Sequence, residues 1–259
     1  MPADPPAQRG LTGLVDPGRV HPLTERVAEE AIARLSAIDD LSATVSDVLD
    51  MLGLEGAVGA SELRPTIAGR KIVGTAVTVR KVPQRRAGAL DAARGEADMG
   101  EIEGANQCRP GDVIVIEGLP GVSAMGGLMS EMAKREGATG AIIDGGYRDV
   151  GHGRSIGFPV WSSDVTPVTG KWRSEVAEVG GSVTIAGLAV SAGDLAIADE
   201  TGVVFVPRDA IGEVVERVEA ISQAEAAYAG ALASDVPLDE LIRAHRQGAP
   251  PANEGVANR

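Results

Sequence analysis

The segment 126–149, GGLMSEMAKREGATGAIIDGGYRD, constrains the fold most, because it predicts a helix that leads directly into a buried strand. In its first half, apolar residues recur at helical spacing, with charged residues on the opposite face. Gly137 predicts the end of this helix, since glycine takes the left-handed backbone conformation at little cost. The apolar run 141–143 predicts a short strand, and 144–146 predicts a turn after it.

The two ends of this segment carry groups that could take part in binding or catalysis. The first N–H groups of a helix have no partner within it, so the backbone at 126–129 can hold an anion. At the other end Arg148, a cation suited to carboxylates, stands beside Asp149, an anion suited to a divalent cation. An isolated Arg-Asp dipeptide is more often a local ion pair or a turn cap, so its role depends on what surrounds it.

The remaining pattern predicts one domain with helices at both ends. Residues 1–20, rich in proline and glycine, predict a flexible arm. The domain spans 21–232, and 233–259 predicts a short helix and a disordered tail. Helical periodicity also occurs at 23–35, 45–52 and 209–228, and strand patterns occur at 72–80, 112–117, 182–190, 193–199 and 203–206.

Composition excludes several classes of function. The net charge of −13 argues against a nucleic-acid backbone as partner. The single cysteine, Cys108, cannot form an internal disulfide and suits a reducing cytoplasm. No apolar run approaches the roughly 20 residues of a membrane span, so no membrane partner is expected. The N-terminus lacks the basic-then-apolar order of a signal peptide.

Common catalytic motifs are absent. No phosphate-binding loop, dinucleotide fingerprint or zinc-ligand spacing occurs, and Ser123 lacks the second glycine of a nucleophile elbow. What remains is a carboxylate for Mg²⁺ or Mn²⁺, an arginine beside it and a helix N-terminus. That set suits metal-assisted chemistry on a carboxylate-bearing oxo acid, in which a developing enolate is stabilised.

The whole central region resembles one known family. The segment 126–149, together with ATVSDVLDMLG, IVGTAVTVR, RPGDVIVIEG and GDLAIADETGVVFVP, resembles proteins that join the regulators of ribonuclease activity A to the class II 4-hydroxy-4-methyl-2-oxoglutarate/4-carboxy-4-hydroxy-2-oxoadipate aldolases. The likeness covers about residues 40–230 in matching order. It implies a single-domain α/β fold of the layered β/β/α swivelling type. It also implies homotrimers or dimers of trimers, with active sites between subunits.

The resemblance also implies roles for individual residues. Asp149 is expected to bind Mg²⁺ or Mn²⁺, and Arg148 is expected to bind substrate oxygens. Glu225, with Glu219 as second choice, is expected to reach a neighbouring subunit's site from the C-terminal helix. The pyruvyl carboxylate is expected on the backbone N–H groups of Gly126, Gly127, Leu128 and Met129.

One position departs from the family. The aldolases often carry an acidic residue where this chain has Gly127, and an aspartate there is expected to fit the fold. Nearby, His152 could titrate in the site, although a histidine between two glycines is more often solvated.

Two functions follow from the resemblance. The first is a divalent-metal-dependent carbon–carbon lyase on 2-oxo acid dicarboxylates, by retro-aldol cleavage or by oxaloacetate decarboxylation to pyruvate. The alternative is a non-catalytic regulator that binds a ribonuclease or a helicase.

Overall fold

The computed structural model describes residues 10–85, 92–94, 99–232 and 236–246. The helices are α1 (Glu29–Ser36), α2 (Leu41–Leu52), α3 (Glu101–Gln107), α4 (Gly127–Arg135), α5 (Val150–Ser155), α6 (Ile211–Leu232) and α7 (Leu238–Arg246). The strands are β1 (Ala57–Gly59), β2 (Arg64–Pro65), β3 (Ile72–Pro83), β4 (Val113–Glu117), β5 (Ser123–Met125), β6 (Gly140–Tyr147), β7 (Val160–Val165), β8 (Ser174–Val179), β9 (Ser182–Ile185), β10 (Leu188–Ser191), β11 (Leu195–Ala198) and β12 (Gly202–Val206).

Most strands form one mixed sheet in the order β1-β12-β11-β3-β4-β6-β7-β2. Strands β3, β4, β6 and β7 run parallel, whereas β11, β12, β1 and β2 join antiparallel. Strand β5 extends the sheet beside β6, and β8 pairs with β3. The sheet lies between helices and a separate β9–β10 hairpin. The predicted single-domain layered α/β fold, with helices at both ends, is therefore confirmed.

Three apolar clusters hold these layers together. One lies between the parallel strands and helices α3 and α4, and the second lies beneath the β9–β10 hairpin. The third joins α1, α2 and α6 to β11 and β12. Strand β4 contributes to the first two, because its alternate residues Val113 and Ile114 face opposite sides and are fully buried. None of the helices in the described ranges is long and apolar enough to cross a membrane.

Several local predictions were wrong. The expected turn at 144–146 is part of β6, whose pairing shifts register between Ile143 and Gly146. The single strand expected at 182–190 is a hairpin that turns at Ala186 and Gly187, both with positive φ. The first helix begins only at Glu29, because the chain before it is extended and packs against the sheet.

The expected flexible arm also differs from the structure where the chain is described. Val15 and Val20 are buried in the first apolar cluster. Thr12 donates hydrogen bonds from its N–H and its hydroxyl to the buried Glu103 on α3. Residues 10–20 are therefore part of the domain, whereas 1–9 and the predicted tail from 247 lie outside the described residues.

Candidate active site

A cleft forms where β6 ends and α4 begins. The residues singled out from the segment 126–149 meet there, although more than twenty positions separate its two ends. Its walls also include residues from the start of α3 and from the loop after β7. The lining residues are Met99, Glu101, Ser123, Ala124, Met125, Gly126, Gly127, Leu128, Met129, Arg148, Asp149, Thr169, Gly170 and Lys171.

Backbone and side-chain bonds bring the two ends of the segment together. The N–H of Arg148 donates to the carbonyl oxygen of Met125 at 3.1 Å. Just before it, Tyr147 is fully buried, and its hydroxyl lies 3.0 Å from the Ser130 hydroxyl on α4. Burial raises the pKa of the Tyr147 phenol above its ordinary value, and the nearby charge of Asp149 adds to the effect. The phenol therefore stays protonated at neutral pH and ties α4 to β6.

Asp149 is held in an uncommon backbone conformation. Its φ is 58°, in the left-handed region that aspartate and asparagine tolerate better than most residues. Its Oδ2 accepts the N–H of Gly127 at 3.0 Å and lies 3.4 Å from Nε of Arg148. The Asp149 side chain is 50% exposed, and its Oδ1 has no hydrogen bond within the described residues. One carboxylate oxygen is thus fixed, and the other is free to bind a ligand.

The start of α4 offers fewer free donors than expected. The first bond within this helix runs from the N–H of Ser130 to the carbonyl oxygen of Gly126. The Gly127 N–H is already used by Asp149. The N–H groups of Leu128 and Met129 remain without a partner among the described residues, so these two can bind an anion. The N–H of Gly126 likewise has no partner among the described residues, so only the Gly127 donor of the four predicted is already used.

Close packing explains why both positions are glycine. A Cβ on Gly126 would lie 2.8 Å from Nε of Arg148 and 2.9 Å from Oδ2 of Asp149. A Cβ on Gly127 would lie 2.9 Å from Cδ2 of His152, whose Nε2 is 3.4 Å from a Glu131 oxygen. His152 therefore fills the space that a side chain at Gly127 needs. An aspartate at position 127 therefore requires that His152 move, and whether the fold tolerates it stays a prediction.

We expect Gly127→Asp to lower stability by about 1–3 kcal/mol, because the new side chain must displace His152. The variant His152→Ala/Gly127→Asp removes the obstructing ring and is expected to recover most of that loss. Thermal unfolding of both variants and of His152→Ala alone measures the effect. Equal melting temperatures for Gly127→Asp with and without His152 would show that the ring is not the obstacle.

The predicted glutamates on the C-terminal helix lie elsewhere in the chain. Glu225 is exposed on α6, which packs against α1 and α2 and does not line the cleft of its own chain. Glu219 forms a two-oxygen pair with Arg34, both N–O distances being 2.6 Å, and this pair lowers the pKa of Glu219. The predicted role of Glu225 in a neighbouring chain's site stays a prediction.

A divalent metal fits this site only with few protein ligands. The described residues contain no group of three or more His, Cys, Asp or Glu side chains placed to hold an ion. Mg²⁺ commonly keeps several waters and binds through one or two carboxylates, whereas zinc sites need three or four protein ligands. The free Oδ1 of Asp149 suits the first arrangement.

Comparisons with known proteins give the family. Residues 42–205 match the family model described as Aldolase/RraA. The chain belongs to the Aldolase/RraA family. The matched region contains the Arg148–Asp149 pair and helix α4. It also contains the mixed sheet, except for Val206 at the end of β12.

Individual relatives of the Aldolase/RraA family differ in length and name. Protein DlpA from Legionella pneumophila is 31% identical over 201 residues, which are 77% of this chain but only 31% of that protein. The chain thus spans about a third of that relative's length. A Halalkalibacterium halodurans protein, provisionally named a 4-hydroxy-4-methyl-2-oxoglutarate aldolase, is 25% identical over 177 residues, covering 68% of this chain and 76% of its own.

A solved structure extends the comparison to three dimensions. Streptomyces coelicolor RraAS2, described as an unusual member of the RNase ES inhibitor RraA protein family, superposes with a TM-score of 0.64 at 29% identity. The alignment covers 78% of this chain and 96% of that one. The fold is therefore shared with RraAS2, and a separate sequence relative is named as an aldolase.

Sequence reasoning missed part of the cleft wall. Glu101, Thr169 and Lys171 line it without having been singled out. Glu101 follows the polar stretch 83–99, whose composition indicates no regular element. The feature that could have identified Glu101 is its position at the start of a short helix that leads into the strand at 112–117.

Proposed function

We propose that this protein is a divalent-metal-dependent carbon–carbon lyase that acts on 2-oxo acid dicarboxylates. The observation that carries the proposal is the meeting of Arg148, Asp149 and the α4 N-terminus in one cleft. The provisional aldolase name of the Halalkalibacterium relative supports it. The substrates are 4-hydroxy-4-methyl-2-oxoglutarate and related compounds, oxaloacetate, or both.

Each group has a part in binding such a substrate. The N–H groups of Leu128 and Met129 are suited to the carboxylate next to the oxo group. The planar Arg148 guanidinium can donate two parallel hydrogen bonds to carbonyl or carboxylate oxygens. Asp149 would hold Mg²⁺ or Mn²⁺, which when bound supplies a Lewis acid for the 2-oxo group.

One site can serve both reactions because they share an intermediate. Breaking the C3–C4 bond of a 4-hydroxy-2-oxo acid, or losing CO₂ from oxaloacetate, leaves an electron pair on C3. That pair is delocalised onto the 2-oxo oxygen, so both reactions form pyruvate enolate. Positive groups fixed around the oxygen stabilise this charge more strongly than they stabilise the substrate, and that difference accelerates bond cleavage.

A regulator is the second candidate. RraAS2 is described within a family of RNase ES inhibitors, and the net charge of −13 suits contact with basic protein segments. The cleft favours the lyase, because contact with another protein does not require a free carboxylate oxygen beside an anion-binding helix end.

A substrate panel tests the proposal. Pyruvate release is followed with oxaloacetate, 4-hydroxy-4-methyl-2-oxoglutarate and a 4-hydroxy-2-oxo acid that has one carboxylate. We expect turnover of at least one dicarboxylate, and slower turnover of the monocarboxylate. Pyruvate release at no more than the protein-free rate from every compound, with a folded protein and Mg²⁺ present, would favour the regulator.

We also propose that the site is completed by a neighbouring chain in a trimer or a dimer of trimers. Leu128, which lines the cleft, is 68% exposed, and Val165, which pairs with Tyr147 at the end of β7, is 60% exposed. Light scattering is expected to give a mass three or six times the 26.5 kDa of one chain. A 26.5 kDa particle at micromolar concentration would contradict assembly.

A further inference from the structure

A buried ion pair lies at the wall of the cleft. Nζ of Lys81 on β3 lies 2.9 Å from Oε2 of Glu101 at the start of α3. The two side chains are only 2% and 9% exposed. Burying both charges carries a desolvation cost that their attraction often fails to offset, so such a pair is weak evidence for stability. Its position beside the cleft points to a chemical role.

Only one oxygen of Glu101 is used by the pair. Oε2 accepts from Lys81, whereas Oε1 has no hydrogen bond to any described residue. Glu101 is among the residues that line the cleft. Lys81 thus fixes the carboxylate while leaving one oxygen for a ligand.

The proposed reaction needs such a group. Among the described ionisable residues that line the cleft, Arg148 is not a base, and one Asp149 oxygen is tied to Gly127. Lys171 is a cation that donates hydrogen bonds. Glu101 is the carboxylate that remains for accepting a proton.

We propose that Glu101 is the catalytic proton-transfer residue of this site, held in place by Lys81, an inference that rests on the proposed lyase function. In retro-aldol cleavage, Glu101 takes the proton of the 4-hydroxyl. The O–H electron pair forms the new carbonyl as the C3–C4 bond breaks, and that bond's electrons become pyruvate enolate. Glu101 then returns the proton to C3, which gives pyruvate and restores the carboxylate.

Oxaloacetate provides the discriminating comparison. Its carboxylate leaves as CO₂ without prior removal of a proton, so no base is needed to break the bond. A residue that acts as the base is therefore essential for aldol cleavage and much less important for decarboxylation. A residue with a merely structural role affects both reactions equally.

The test compares both reactions in wild type, Glu101→Gln and the double variant Lys81→Met/Glu101→Gln. The double variant leaves no unpaired buried charge, so it guards against misfolding of the single variant. Glu103→Gln is the matched control, because Glu103 lies on the same helix, is fully buried and does not line the cleft. Circular dichroism checks the fold of every variant.

We expect both Glu101 variants to cleave 4-hydroxy-4-methyl-2-oxoglutarate about a hundredfold more slowly, the usual contribution of a positioned base, while decarboxylation falls less than about fivefold. Glu103→Gln is expected to keep the wild-type ratio of the two rates. An unchanged aldol rate, or equal losses in both reactions, would overturn the proposed role of Glu101 and leave the lyase proposal standing. A wild-type protein inactive on both substrates would overturn the proposed function, and this role with it.

Discussion

Asp149→Asn is expected to reduce pyruvate formation by on the order of a hundredfold or more, the largest effect of any single change in the cleft. The amide keeps the shape of the side chain and removes the charge that a hard cation requires. Affinity for Mg²⁺, measured by calorimetry, is expected to fall in parallel. The substitution thus removes the charge of Asp149 while keeping an acceptor for the Gly127 N–H.

The structure explains why asparagine is the right replacement. Asparagine tolerates a φ of 58°, and its side-chain oxygen can still accept the N–H of Gly127. The melting temperature should therefore stay close to that of wild type. Asp149→Ala provides the contrast, since it loses the bond and strains the backbone. Wild-type turnover by Asp149→Asn would remove this carboxylate from the mechanism.

Arg148→Lys is expected to lower turnover by roughly ten- to a hundredfold while leaving metal affinity largely intact. Lysine keeps the positive charge but loses the planar pair of donors that matches a carboxylate. The Arg148 side chain is only about one-third exposed and lies beside Gly126, so its orientation is fixed by close packing. Steady-state rates with oxaloacetate measure the effect.

Gly126→Ala is the companion to this variant. It retains Arg148 and Asp149 but places a methyl group within 3 Å of both side chains. We expect it to damage turnover by displacing the pair, with no change in the charge of the site. If Arg148→Lys turned over at the wild-type rate, the two-pronged contact would not be part of catalysis.

The parts of the fold that could be predicted are those that depend on residues close together in the chain. Gly137 follows α4 with positive φ, as its position at the end of the apolar periodicity predicts. The turn expected at 144–146 failed because glycines that favour turns also fit an irregular strand between two partners. Strand pairing of this kind depends on distant segments.

The site residues divide in the same way, between those that are close in the chain and those that meet only through folding. Arg148 and Asp149 are adjacent in the chain, so the resemblance could identify them directly. The contacts of Gly127 with Asp149 and His152 depend on how α4 and α5 pack after β6 ends. The Lys81–Glu101 pair joins two segments across a stretch with no clear periodicity, so nothing local predicts it.

Removal of the divalent metal tests the central claim most directly. Pyruvate release from oxaloacetate and from 4-hydroxy-4-methyl-2-oxoglutarate is measured with wild-type protein in Mg²⁺, after EDTA, and after Mg²⁺ is restored, with the spontaneous rate subtracted. The lyase account predicts protein-dependent release that EDTA abolishes and Mg²⁺ restores. Release at an undiminished rate in EDTA, or at no more than the protein-free rate in Mg²⁺ with both substrates, would contradict it.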